Sequence, residues 1–260
     1  MIDMRSILGG LIDAGLAPST SQRIEHALKT PQADGGSLLS RITAAAGQAA
    51  SDTKQQAQAG NPVAIGGLGA LAGAILGGAK GSAARGALGG AALALLGQIA
   101  YQALQGRLPG AAAGRSGAGA AGEDLPLGVR EPKTPGEEAV LRSRSQILLQ
   151  AMINAAKADG QIDGREMDRI LSKLDEAGAD QEAKDFVLAE MRRPLDLEGL
   201  AAQVEAPDLA AEVYAASLLA IEVDTPAERS YLDRLATTLE LTPAARQHIE
   251  SVLGVKAAAV

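Results

Sequence analysis

Apolar side chains recur at helical spacing through the C-terminal half of the chain. Leu148, Leu149, Met152 and Ile153 share one face of a first predicted helix, and similar spacing continues as far as Ile249. Read between its start and stop signals, the pattern predicts seven helices. They span about 135–157, 164–177, 181–192, 197–204, 207–222, 226–240 and 243–253.

Four short motifs mark the beginnings of these helices. The sequence Thr-Pro-Ala-Glu at 225–228 places Thr at the N-cap, Pro at the first helical position and Glu at the third, and Thr-Pro-Gly-Glu at 134–137 repeats it. Thr242-Pro243 is the same start without the Glu, and Asp-Gly-Arg-Glu at 163–166 is the version with Asp. Gly178, Pro194 and Gly254 mark the ends of three of these helices.

The N-terminal region, residues 1–61, is polar and predicts short amphipathic helices. Ile2, Leu8, Leu11 and Ile12 lie at roughly helical spacing, and a further helix is expected at about 38–58. The opening is too polar, and its apolar run too short, for a secretory signal.

A Gly/Ala-rich hydrophobic segment follows at 62–107. It contains two apolar runs, 63–79 and 86–104, and four glycines recur at every fourth residue, at Gly69, Gly73, Gly77 and Gly81. Such a glycine zipper lets a second helix approach closely, as in membrane helix pairs. Because each run is near the length of a bilayer span, we expect membrane association. A flexible linker or a soluble Ala-rich hairpin is the alternative.

Residues 108–133 combine Gly, Ala and Pro without periodicity and predict a flexible linker ahead of a helical domain at 134–256. The apolar content is mostly Ala and Leu, with one Phe and no Trp, which favours packed helices over sheets. We therefore expect an all-α fold.

Charge and composition exclude several classes of function. Residues 1–133 carry 11 Lys/Arg and 8 Asp/Glu, whereas 134–260 carry 13 and 23. The acidic C-terminal half repels phosphate backbones, so we expect no nucleic-acid partner. The absence of Cys excludes disulfides and thiolate catalysis, and His26 and His248 are too few for a His-rich metal site.

Two parts of the helical domain align with each other at an offset of 65 residues. Asp159 then falls on Asp224, Asp163 on Glu228, and Asp-Arg-Ile at 168–170 on Asp-Arg-Leu at 233–235. Each half is a buried helix, a tight acidic turn and an amphipathic helix. We interpret this as an internal pseudo-repeat.

The segments KADGQIDGRE (157–166), PLDLEGLA (194–201) and EVYAASLLAIEVDTPAERSYLDRLA (212–236) resemble the TerB-like tellurite-resistance helical domain, most closely its YebE-type branch of bacterial inner-membrane proteins. The resemblance implies an all-helical fold with two acidic turns proposed to bind metal ions, and a link to tellurite or envelope stress. The implied metal ligands are Asp159, Asp163 and Glu166 in the first turn and Asp224 and Glu228 in the second. The second turn has Thr225 where the first has Gly160.

Two interpretations of these acidic turns remain open. Carboxylates from both turns would suit a hard divalent cation such as Ca²⁺, Mg²⁺ or Mn²⁺, provided that the repeat brings the turns together. The alternative is structural, because Asp163 with Glu166 and Thr225 with Glu228 are complete capping boxes. No other cofactor is predicted.

The sequence contains no nucleophile with a matching base, so we expect no enzyme. Our main expectation is a membrane-attached TerB-like protein of the bacterial inner membrane, which forms homo-oligomers through the Gly/Ala segment and binds an unknown protein partner or a cation. The alternative is a soluble cytoplasmic interaction module whose acidic residues are only helix caps, self-associating through the glycine zipper.

Overall fold

The computed structural model describes residues 7–9, 11–12, 17, 19–30, 82–104, 134–160, 162, 164–176, 179 and 181–255. Within these ranges every regular element is helical and no strand occurs, so the all-α prediction is confirmed. The helices are α1 (Thr20–Lys29), α2 (Ser82–Leu104), α3 (Pro135–Ala156), α4 (Gly164–Glu176), α5 (Gln181–Arg192), α6 (Leu197–Ala201), α7 (Pro207–Ala220), α8 (Pro226–Thr238) and α9 (Pro243–Val252).

Helix α7 lies at the centre of the fold. Every residue from Leu209 to Ala220 is buried, as expected for a helix with apolar residues on every side. Helices α1, α2, α3, α8 and α9 all pack against it. The core is therefore built around one short helix that is rich in alanine.

Helices α3 and α7 form the largest helix pair and run in the same direction. Arg144 contacts Asp208 and Glu212, and the Ser217 hydroxyl lies 3.5 Å from the carbonyl oxygen of Ala151. These partners are 64, 68 and 66 positions apart in sequence, close to the offset of the predicted pseudo-repeat. The parallel direction places the two acidic turns, which follow α3 and α7, at the same end of the pair.

Helix α2 contains the second apolar run of the Gly/Ala segment. The predicted membrane run 86–104 lies inside α2, which packs on α7 and α9, and its residues Leu93, Leu96 and Ile99 belong to the same core as the C-terminal helices. Ala residues on α2 and α7 explain the packing, because small side chains allow close helix approach in a protein interior as well as in lipid. Residues 92–104 thus pack in the same core as the C-terminal helices.

None of the helices in the described residues is long and apolar enough to cross a membrane. The first apolar run at 63–79, the glycine zipper, the helix at 38–58 and the linker at 108–133 all lie outside the described residues.

Helix α1 docks onto the C-terminal ends of α7 and α9. Thr20 Oγ1 donates to the carbonyl oxygen of Leu219 at 2.7 Å, and the buried Arg23 guanidinium donates to that of Leu218. These carbonyls have no partner within α7, because the last turn of a helix leaves its acceptors free. Side chains of α1 therefore satisfy the end of the central helix.

The predicted helix starts are confirmed where the structure describes them. Thr134 and Thr242 accept hydrogen bonds from the amides of Glu137 and Ala245, both at 3.2 Å. The Asp163 start lies outside the described residues. Asp196 caps the short helix α6 by accepting from Gly199 at 2.8 Å, which the sequence analysis did not predict.

Candidate functional site

In the second acidic turn, Glu228 serves as a helix cap. Its Oε2 accepts hydrogen bonds from the Asp224 amide at 3.1 Å, the Thr225 amide at 3.0 Å and the Thr225 hydroxyl at 2.9 Å. Thr225 in turn accepts from the Glu228 amide at 3.2 Å, which completes the capping box. Burial opposes ionisation of Glu228, but these hydrogen bonds lower its pKa overall. The carboxylate is therefore already occupied within the protein.

The other predicted metal ligands are described only in part. Asp159 and Asp224 are exposed, Asp163 lies outside the described residues, and so does the side chain of Glu166. Among the described side chains, no group of three or more His, Asp or Glu could hold a metal ion. The cation site at the first turn stays a prediction. In the second turn, the Glu228 carboxylate is used as a helix cap.

A buried ion-pair network joins α3 to α7. Arg144 lies 2.7 Å from Asp208 and 3.2 Å from Glu212, and the side chain of Glu212 is only 3% exposed. Burial raises the pKa of Glu212 to about 8, although Arg144 acts in the opposite direction. The network fixes the register of the two helices, and sequence reasoning missed it because its members are more than 60 residues apart.

A second network connects α7, α8 and α9. The Tyr214 hydroxyl donates to Glu250 Oε1 at 2.7 Å, Arg246 Nε donates to the same oxygen at 2.7 Å, and Arg246 also lies 2.6 Å from Asp233. Burial and the Glu250 carboxylate raise the pKa of Tyr214. Both charges of Arg246 and Glu250 are matched, so this network stabilises the helix contacts and offers no free reactive group.

Lys157 connects the C-terminal end of α3 to the C-terminal end of α5 through hydrogen bonds. Its buried ammonium group donates to the carbonyl oxygens of Glu190 and Arg193 at the C-terminal end of α5, the second at 2.9 Å. A cation is favourable there because the helix dipole is negative at that end. Lys157 therefore has a structural explanation.

A cavity of about 470 Å³ lies where five helix ends meet. It is bounded by the ends of α2, α6 and α8 and by the beginnings of α7 and α9. Its lining mixes apolar side chains with polar atoms, and Glu205 and Glu240 are the ionisable residues among the described residues that line it. The lining residues are Leu104, Ala201, Val204, Glu205, Ala206, Pro207, Ala210, Thr238, Leu239, Glu240, Leu241, Thr242 and Ala245.

The two hydroxyl groups of the lining are already used. Thr238 donates to the carbonyl oxygen of Arg234 at 2.9 Å, and Thr242 accepts from the amide of Ala245 at 3.2 Å as the N-cap of α9. The carboxylates of Glu205 and Glu240 have no ion-pair or hydrogen-bond partner within the described part of the chain. They and the hydroxyl proton of Thr242 are the side-chain groups available to a ligand among these residues.

Glu240 occupies an unusual backbone conformation at the edge of the cavity. Its φ is 53°, and it terminates α8 with hydrogen bonds from Glu240 N to Thr237 O at 3.1 Å and from Leu241 N to Ala236 O at 2.9 Å. Helix α9 ends with the same pattern but has Gly254, with φ 68°, at that position. A side chain here costs about 1 kcal/mol relative to Gly. The lack of a Gly after α8 is the sequence feature that distinguishes the end of α8 from the end of α9.

Among the described residues that line the cavity, there is no Lys, Arg, His, Ser or Tyr beside the two carboxylates. The volume lies within the usual range for small-molecule sites. The geometry is therefore suited to binding.

Comparison with known proteins gives a family and one curated relative. A family described as "Protein of unknown function (DUF533)" matches residues 58–253. A protein of Yersinia enterocolitica described as "Uncharacterized protein in ampR 5'region" is 32% identical over 120 residues, which cover 46% of this chain and 86% of that protein. No solved structure matches the chain significantly.

Proposed function

Because the chain belongs to the DUF533 family, whose description assigns no activity, we propose a function from the geometry of the cavity. The protein is a non-enzymatic helical binding module, and the cavity between α2, α7 and the α8–α9 turn receives the apolar part of a ligand. We also propose that the chain shares its fold with TerB-like domains.

The cavity is the observation that carries the proposal. Val204, Leu239 and Leu241 give it an apolar patch, and its volume of about 470 Å³ is large enough for a small organic molecule. Transfer of apolar ligand surface from water to such a patch is favourable by roughly 25 cal/mol per Å². The side chains of the polar networks elsewhere are already engaged in contacts between helices and therefore provide weaker support for a binding site.

A second candidate, cation binding at paired acidic turns, receives less support. Glu228 accepts three hydrogen bonds within its own turn, so releasing it for a metal would cost α8 its cap. A role in tellurite or envelope stress remains an expectation from the family resemblance. None of the described residues of the cavity supports that role.

The proposal is tested with n-hexanol, a neutral probe that matches the apolar patch. Methyl resonances of Val204, Leu239 and Leu241 are followed by NMR during titration of the full chain. A probe of seven heavy atoms is expected to bind with a Kd of about 1 mM. Saturable shifts confined to these methyl groups would support the proposal.

Matched variants make the test specific. Val204→Trp is expected to fill the cavity and abolish the shifts, whereas Val140→Trp, at a 46% exposed position on α3, should leave them intact. Circular dichroism shows whether both variants remain folded. If neither hexanol nor a charged six-carbon analogue gives saturable shifts in the wild-type chain, the proposal fails.

A further inference from the structure

We infer that the C-terminal ends of α7 and α9 form a recognition site for a helix, and that α1 fills this site as an exchangeable ligand within the same chain. A helix that presents Thr, Arg and His at intervals of three residues fits the site, as α1 does with Thr20, Arg23 and His26. The cavity lies at the beginnings of α7 and α9, whereas this site lies at their ends. The inference is therefore independent of the proposed function.

The three side chains of α1 each contact a carbonyl oxygen at a helix end. Thr20 and Arg23 donate to carbonyl oxygens in the last turn of α7. His26 extends the pattern to α9, because its Nδ1 lies 3.0 Å from the carbonyl oxygen of Val252, the last residue of that helix. Residues three positions apart are neighbours on a helix surface, so one face of α1 reaches both helix ends.

The site is suited to a cation at its central position. Arg23 is only 9% exposed, and burial lowers its pKa, but the carboxylates of Glu222 and Glu228 act in the opposite direction. The C-terminal end of α7 adds the negative end of its helix dipole at the same place. A guanidinium group is thus matched by a carbonyl acceptor, a helix end and two nearby carboxylates.

The shape of the site also fits α1. At the end of α9, Gly254 has a φ of 68° and lies against the ring of His26. A Cβ added at Gly254 would lie 3.0 Å from Cγ of His26, which is too close unless one of the two residues shifts. The glycine that ends α9 therefore also leaves the space that α1 occupies.

The contacts of α1 permit it to leave the site without unfolding of the core. Its buried residues are Thr20, Arg23 and Ala27, and only Ile24 and Leu28 add partly buried apolar surface. Carbonyl groups at helix ends can accept hydrogen bonds from water once a side-chain donor is gone. Helix α1 also precedes the matched family region 58–253, whereas α7 and α9 lie inside it. Ligand and site thus belong to different parts of the chain.

A separate α1 peptide tests the inference. A fluorescein-labelled peptide of residues 17–30 is titrated into the full chain and into its Thr20→Val/Arg23→Met variant, in which the chain's own α1 is weakened. The apparent Kd is the intrinsic Kd divided by the vacant fraction of the site, so the variant should bind the peptide at least about 10-fold tighter than the wild-type chain. The chain with Gln22→Ala, an exposed change on α1, should bind it as the wild-type chain does.

A second peptide tests the recognition of the cation. The same peptide with Arg23→Met should bind the variant chain about 10-fold more weakly or worse, because hydrogen bonds of charged groups contribute more than neutral ones. Circular dichroism shows whether the variant chain is folded. The inference is overturned if the folded variant binds no peptide, binds both peptides equally, or binds the native peptide no more tightly than the wild-type chain does.

Hydrogen exchange of the wild-type chain decides the case if the double variant does not fold. Amides of α1 should be at least about 100-fold less protected than those of the central helix α7, because local opening needs less free energy than global unfolding. Equal protection of the two helices would show that α1 leaves its site only when the whole protein unfolds, and would overturn the inference.

Discussion

Helix α2 provides the sharpest test of the fold, through the substitution Leu96→Ala. Leu96 is 0% exposed and lies on the helix that packs against α7 and α9. Removal of a buried leucine side chain loses its transfer free energy and leaves a cavity, and together these cost about 3–5 kcal/mol. At about 2–4 °C per kcal/mol for a domain of this size, the melting temperature should fall by roughly 6–20 °C.

The measurement is urea unfolding of the full chain, followed by circular dichroism at the helical minimum because the chain contains no Trp. Leu96→Met is the matched control, since a substitution that conserves volume should cost less than about 1.5 kcal/mol. If Leu96→Ala changes the free energy of unfolding by no more than this control, α2 does not belong to the core and the reasoning is refuted.

A fragment of residues 134–260 tests the same conclusion from the opposite direction. It keeps α3 to α9 but lacks α2 and α1, which cover part of the central helix α7. Exposure of that apolar surface should make the fragment bind a hydrophobic dye and unfold with poor cooperativity. A fragment as stable as the full chain would show that the C-terminal helices form the core alone.

Three further outcomes follow from the polar contacts. Thr20→Val should destabilise the protein by about 1–3 kcal/mol in urea unfolding, because the buried Leu219 carbonyl loses its donor, while the exposed change Ser21→Ala should have little effect. Thr225→Ala should cost about 1 kcal/mol by loss of the capping box, and an unchanged midpoint would contradict that role. Because folding raises the pKa of Glu212 from 4.5 to about 8, its contribution to stability is present at low pH and is lost as the pH rises through 8. Urea midpoints should therefore fall between pH 5 and pH 8 more steeply in the wild-type chain than in Glu212→Gln. The lowered pKa of His248 acts in the opposite direction, but it is present in both proteins and does not affect the difference. Parallel curves would refute the raised pKa of Glu212.

The helix boundaries of the C-terminal region were predictable because their signals are local. Thr134, Thr225 and Thr242 each cap a helix through a contact three residues away, so the relevant chemistry is contained in four consecutive positions. The apolar face containing Leu148 and Met152 is likewise buried as its spacing predicts.

The environment of α2 was not predictable from its composition. An apolar run of Gly, Ala and Leu satisfies the requirements of lipid and of a protein interior equally, since both exclude water from the side chains. The deciding feature is the Ala-rich surface of α7, more than 100 residues further along the chain. Composition alone could not specify which apolar environment this helix would occupy.

The buried charges were missed for a related reason. Arg23 was expected in a polar region, yet it is buried at the end of α7, 195 positions away from its acceptor Leu218. Burial lowers the pKa of Arg23, and nearby Glu222 and Glu228 partly restore it. Such contacts depend on the tertiary fold, so no local motif identifies them.

The charged groups around α7 serve the structure of this protein. Arg23, Arg144 and Glu250 each have a partner on another helix, as stability requires of buried polar groups. The cavity beside the beginning of α7 has no such structural role, which is why we assign binding to it. A ligand of this cavity would bind the folded state alone, and at 100 times its Kd it would stabilise that state by about 2.7 kcal/mol.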